Sequence, residues 1–153
     1  MGMDVYGESP KNKRGEYFRN NCWWWRPLWD YVCDICSDIL TEKDHRAGHY
    51  NDGHLIESER AERIANRLRA MCANGKVLDF EREYKAHMES VPDEICNLCG
   101  GSGTRTDMVV ADGCNKCHGE GKVRPFETWY DFEAENVLEF AEFAEHSGGF
   151  RIS

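Results

Sequence analysis

The stretch Cys96–Gly121, CNLCGGSGTRTDMVVADGCNKCHGEG, holds two copies of C-x-x-C-x-G-x-G, one from Cys96 to Gly103 and one from Cys114 to Gly121. Cys96, Cys99, Cys114 and Cys117 are two C-x2-C pairs separated by residues 100–113. That spacing suits four thiolates around one tetrahedral zinc ion. Each pair sets two sulfurs on one tight turn, and the spacer is long enough for a β-hairpin that brings the turns together. Gly100, Gly101, Gly103, Gly119 and Gly121 follow the second cysteine of each pair. There the backbone must turn sharply and offer its N–H groups to sulfur. Disulfides or free thiols are the competing reading, and two matched pairs favour one structural Zn2+. Four sulfurs leave no vacant position at which a water could be activated, so the ion is expected to staple rather than catalyse.

Working outward, the chain has 153 residues and a formal net charge of −9, from 28 acids against 19 Lys and Arg. Its mean hydropathy is −0.71. This is the size of one domain, or of a helical body with a small zinc lobe. The acidic balance argues against binding of a nucleic-acid backbone and fits a partner with a basic site. No apolar run reaches membrane-spanning length, and the N-terminus has no hydrophobic signal core. Eight cysteines without a secretion signal point to a reducing compartment, so the expected location is the cytoplasm.

Residues 1–20 are polar, with an apolar beat at Met3, Val5 and Tyr6 that suits a short strand or an extended arm. NNCWWWRPLW follows, with four of the five tryptophans inside seven residues. Pro27 suits the first position of a helix running to about Leu40, with an apolar stripe from Leu28 through Ile39. The tryptophans build a core on one reading. Three in succession cannot all point one way, so Trp23, Trp24, Trp25 and Arg26 are also candidates for stacking a base or gripping a partner. Cys33 and Cys36 make a third C-x-x-C within the helical stripe, and buried thiols are the plain reading. A second metal or small-ligand site could instead draw on Cys33, Cys36, His45, His49, Asn51, Asp52 and His54. The rival reading of HYNDGH is a polar loop turning at Asp52-Gly53.

Three more helices follow from periodicity. SERAERIANRLRAMCANG starts at Ser58 and stops at Asn74-Gly75, with Ala61, Ile64, Ala65, Leu68, Met71 and Cys72 on one face. Residues 77–90 form the next, ended by Pro92. Val123–Trp129 reads as extended, and DFEAENVLEFAEFAEHSGG is the last helix, with Leu138, Ala141 and either Val137 or Phe140 inward. Glu135, Glu139 and Glu142 form an acidic stripe on it. Phe150–Ser153 can add a terminal strand.

The paired knuckles resemble the cysteine-rich zinc module of DnaJ-type chaperones, which carries four copies of this element. Two copies suffice for one metal centre, and without a His-Pro-Asp J-domain signature or a Gly/Phe linker no co-chaperone role follows. MGMDVYG, GEYFRNNCWWWRPLW, the HYNDGH loop with its following helix, and the knuckles leading to ENVLEFAEFAEHSGGF together resemble a family of small bacteriophage and bacterial proteins. That resemblance implies an accessory protein acting in the bacterial cytoplasm, and it transfers no catalytic residue.

The expected fold is α+β and mostly helical: about four helices with an inserted zinc-ribbon β-hairpin. The expected organisation is a helical body over 1–93, the zinc module over 94–125, and a C-terminal helix over 126–153 that packs back on the body. The leading function is a zinc-stapled, non-enzymatic protein that binds a macromolecular partner and inhibits a host defence factor. The alternatives are a nucleotide-sequestering protein using Trp23–Trp25, and a metal-dependent hydrolase using Asp44, His45, His49, Asp52 and His54. No HExxH, phosphate loop or nucleophile–base pair supports the last.

Overall fold

Alternation of small or polar with apolar residues over GMDVYG makes strand β1 (Gly2–Gly7), with Met3 and Val5 buried. The computed structural model describes residues 2–105 and 113–153. The chain divides into two units, residues 1–85 with 130–153, and residues 86–129. In chain order the other elements are β2 (Tyr17–Asn21), α1 (Cys22–Ile35), α2 (Glu42–Ala47), β3 (His54–Ile56), α3 (Ser58–Ala73), α4 (Lys76–Ser90), β4 (Glu94–Ile95), β5 (Lys122–Val123), α5 (Ala134–His146) and β6 (Phe150–Ile152). The fold is α+β and mostly helical, as the periodicities predict.

The first unit contains a four-stranded antiparallel sheet in the order β2-β1-β6-β3. Val5 stands opposite both Phe18 and Ile152, so the two ends of the sequence meet in the middle of the sheet. Neither terminal stretch carries enough apolar residues to stand alone, and pairing supplies what local propensity lacks.

Helix α1 begins five residues before the position that Pro27 suggests. Asn21 caps it, its side-chain oxygen accepting from the N–H groups of Trp23 and Trp24 at 3.0 and 3.1 Å. Pro27 lies inside the helix and cannot donate to the carbonyl four residues back. That carbonyl, Trp23 O, accepts from the Asp131 N–H at 3.1 Å instead, so the vacancy joins α1 to the segment before α5. The helix ends at Ile35 rather than Leu40, with Cys36 as its C-cap residue.

Trp25, Trp29, Phe140 and Phe150 are fully buried and Phe143 nearly so, in a core that also takes in Phe18. Trp25 and Trp29 stack with ring centroids 5.6 Å apart, and Phe140 stands edge-on to both. Each such side chain contributes roughly 1.5–3 kcal/mol by burial alone. Helix α3 lays Ala61, Ile64, Ala65 and Leu68 against α5, whose buried face is Val137, Phe140, Ala141, Phe143 and Ala144. Leu138, expected inward, is 39% exposed. Positions 137, 140, 141 and 144 centre the buried face, which turns residue 138 away from it.

In the second unit β4 and β5 form a two-residue antiparallel ladder, Glu94 opposite Val123 and Ile95 opposite Lys122. The tip of the expected hairpin falls on residues 106–112, outside the described residues. The extended reading of Val123–Trp129 fails beyond its first residue: the strand stops at Val123, and Phe126–Trp129 forms a 3-10 turn. Pro125 opens that turn, its carbonyl accepting from both the N–H and the hydroxyl of Thr128.

Candidate metal centre

The two knuckles are near-copies in three dimensions. The Cys96 N–H donates to Gly121 O at 2.9 Å, and the Cys114 N–H donates to Gly103 O at 2.8 Å. Gly103 N–H points at Cys99 Sγ from 3.3 Å, and Gly121 N–H points at Cys117 Sγ from 3.2 Å. The repeat needs its glycines for contact as much as for turning. A Cβ on Gly103 would lie 2.2 Å from Gly119 O, and one on Gly121 would lie 2.2 Å from Gly101 O. Both residues also have positive φ, +74° and +75°.

All four sulfurs lie within 4.8 Å of one another, with Cys96–Cys114 at 3.8 Å and Cys99–Cys117 at 3.7 Å. A disulfide would need about 2.05 Å. A tetrahedron with metal–sulfur bonds of about 2.3 Å has edges of about 3.8 Å. The sulfur cage therefore has the size of a tetrathiolate metal site. Cys96, Cys114 and Cys117 are buried, which keeps water from the site. Burial works against the thiolate at Cys99, yet the N–H groups of Gly103 and Gly101, together with the neighbouring Cys117 and Cys96, hold that thiol below its ordinary range. The group can hold a metal ion, and among the described residues the second unit has little other core.

Beside Cys117 runs an open groove of about 460 Å³, lined by the apolar Val123, Phe126 and Trp129 and by the charged Glu94, Lys116, Glu120, Lys122 and Arg124. Phe126 and Trp129 are 60% and 58% exposed, with ring centroids 5.6 Å apart. Ile95 and Leu98, in the same unit, are exposed as well. His118 occupies the place of Gly100 in the second knuckle and takes a positive φ of 51°. Sequence reasoning misses the groove. Its signal is the aromatic pair in FETW directly after the second knuckle.

The other candidate residues separate. Cys36 is fully buried and Cys33 partly so, and burial pushes both thiols up, Cys36 to about 11. Such thiols stay protonated at neutral pH and join no group of three ligand atoms among the described residues. Asn51 donates to Gly2 O at 2.9 Å, and Asp52 is exposed. His54 Nε2 lies 2.9 Å from Asp44 Oδ1. Asp44, almost fully buried, also closes a capping box with Thr41 and pairs with Arg60. Burial opposes its charge, but Arg60, Thr41 and His54 hold its carboxyl far below the ordinary carboxylate range. His45 and His49 converge instead on Asp30, a residue that the sequence does not single out.

Of the tryptophan cluster, Trp25 is fully buried and donates from Nε1 to Gly48 O at 2.7 Å, so its ring is not offered to a base. Trp23 packs on Tyr130 with centroids 5.1 Å apart, and Arg26 lies over the same ring and donates to its hydroxyl. Trp24 is half-buried. Among the described residues, no helix is long and apolar enough to cross a membrane.

Fold and site together define an α+β chain with a two-knuckle, four-cysteine module. Comparison with protein-family models, with curated proteins and with solved structures finds no match.

Proposed function

We propose that the four-cysteine group holds one structural Zn2+ and that the stapled unit is a recognition module for a protein partner. The observation that carries this is the groove. Phe126 and Trp129 stay exposed in a unit whose few apolar side chains would otherwise be spent on a core. Aromatic pairs of this kind are the usual anchors of binding energy at interfaces. The occupant we favour is an extended peptide segment with apolar side chains for Val123, Phe126 and Trp129, and acidic groups toward Lys116 and Lys122. Zinc suits a site of four thiolates and no vacancy, where the ion fixes geometry and performs no chemistry. Following the resemblance to small phage and bacterial proteins, we propose that the partner belongs to an infected or bacterial cell and that occupation of its binding surface inhibits it.

The test is a selection of displayed random peptides on the immobilised, zinc-loaded chain, followed by affinity measurements on the recovered sequences. Enrichment of apolar peptides with acidic flanks is expected. Phe126→Ala or Trp129→Ala should weaken their binding about 10- to 30-fold without loss of zinc. No enrichment, or equal binding by both variants, overturns the reading.

A further inference from the structure

Helix α1 and the turn that ends α2 bring three ligand-bearing side chains together away from the cysteines. His45 and His49 stand at i and i+4, so they share one side of the turn. Asp30 faces them from α1, with His45 Nε2 at 2.6 Å and His49 Nε2 at 2.9 Å from the same oxygen, Oδ1. The three ligand atoms all lie within 4.8 Å of one another. We propose that Asp30, His45 and His49 form a second metal site, a two-histidine, one-carboxylate set that takes Zn2+ or a similar borderline divalent transition ion and leaves further coordination positions to water or an exogenous ligand.

Four features support this. Two imidazoles and a carboxylate are the ligand types that such ions select. Ligand atoms around a tetrahedral ion with bonds of about 2.0–2.1 Å stand about 3.3 Å apart. The two nitrogen–oxygen edges, 2.6 and 2.9 Å, reach that spacing with a carboxylate shift of less than about 1 Å, and the nitrogen–nitrogen edge is within 4.8 Å. Asp30 is the exposed member, its side chain 56% accessible, so it can make that movement and the ion can enter. The histidines, by contrast, are held. Trp29 Nε1 donates to His45 O at 3.1 Å and Trp25 Nε1 donates to Gly48 O at 2.7 Å. The stacked tryptophans thus fasten both ends of the His45–His49 turn onto the helix that carries Asp30. That is the rigid backbone support a metal site requires.

Asp30 and His45 also line a cleft of about 260 Å³ together with Cys33, Asp34, Ser37 and Glu42. These acidic and hydroxyl groups are suited to holding metal-bound waters. In the sulfur cage four thiols fill the coordination sphere, so the two sites would differ in function: one closed staple and one accessible ion.

The experiment is native mass spectrometry of the full chain, first carrying one zinc and then after addition of a few equivalents of Zn2+, on wild type, Asp30→Asn, His45→Ala and His49→Ala. Two zinc ions on wild type and one on each variant are expected. The variants should lose more than about 100-fold in affinity for the second ion, beyond the 10- to 100-fold that removal of a merely orienting group costs. Side-chain imidazole nitrogen spectra of the wild-type protein provide a readout that does not depend on variants folding. The Nε2 resonances of His45 and His49 should move to the metal-bound position on Zn2+ addition, while that of His54 stays. A single zinc on wild type at excess metal, a second zinc retained by all three variants, or unmoved His45 and His49 resonances would each overturn the assignment.

Discussion

The two units solve the same problem by different means. The unit of residues 1–85 and 130–153 excludes water with an aromatic core built around Trp25, Trp29, Phe140 and Phe150. The unit of residues 86–129 buries three cysteines and leaves Ile95, Phe126 and Trp129 exposed. Thiols show the contrast most directly. Cys33 and Cys36 sit among apolar side chains, and burial raises them. In the sulfur cage the thiols differ: glycine N–H groups and neighbouring sulfurs lower Cys99 despite burial, while burial and its sulfur neighbours raise Cys117. Burial among apolar side chains makes a cysteine a small hydrophobe, whereas clustering with other sulfurs under backbone N–H groups makes it a ligand. A chain segment too short for a core can therefore fold around sulfur and leave aromatic residues exposed.

The strongest attempt to break this comparison is removal of the metal. Structural zinc contributes on the order of 10–16 kcal/mol in small apo-unfolded modules. Chelation, or Cys96→Ser, is expected to collapse the amide dispersion of residues 86–129 while the indole and ring-proton shifts of Trp25, Trp29 and Phe140 persist. Loss of both sets together would show that the first unit is not independently stable.

Asp44→Ala attacks the other unit. It leaves Arg60 and His54 facing a buried vacancy and opens the capping box of α2, at about 3–5 kcal/mol. Denaturant unfolding of zinc-loaded protein should show the loss in the first unit, with metal stoichiometry at the four knuckle cysteines unchanged.

Gly48→Ala tests the docking of the histidine turn. Gly48 has an ordinary helical φ of −66°, but an added Cβ would lie 2.1 Å from Trp29 Nε1. We expect a cost of about 2–3 kcal/mol from overpacking, with red-shifted tryptophan emission. An unchanged melting temperature would mean that the turn does not depend on the indoles.

The smallest effect concerns acid. Glu81 accepts from Lys85 and from Ala134 N–H, the first turn of α5, and these contacts lower its pKa. Because the folded value lies below the unfolded one, the stabilisation is complete above the ordinary glutamate range, near 4.3, and fades as pH falls through the lowered value. Wild type should exceed Glu81→Gln by about 0.5–1 kcal/mol at neutral pH, and the two should converge in denaturant titrations once the pH falls below the lowered value. A gap that ignores pH would assign the difference to something other than this carboxylate.

Local chemistry carried much of this protein. The two C-x-x-C-x-G-x-G copies determined the sulfur cage, because two cysteines on one turn and a glycine four residues on are a short-range arrangement that repeats itself. Periodicity determined α3 and α4 to within a residue or two, and the stop at Gly75, whose φ is +79°; α5 it began three residues early, at Asp131 rather than Ala134. Tertiary structure decided the rest. Pro27 could enter α1 because Asp131 takes the carbonyl it frees, a partner about a hundred residues away in sequence. The terminal strands exist because they pair with each other. Trp25 and Trp29, which composition alone could send to a core or to a ligand, went inward because Gly48 and the carbonyl of His45 offered a surface and acceptors for their N–H groups. The same contacts bring His45 and His49 to Asp30 rather than to Cys33 and Cys36. No spacing in the sequence encodes that choice, since it depends on which face of α1 the aromatic core has already claimed.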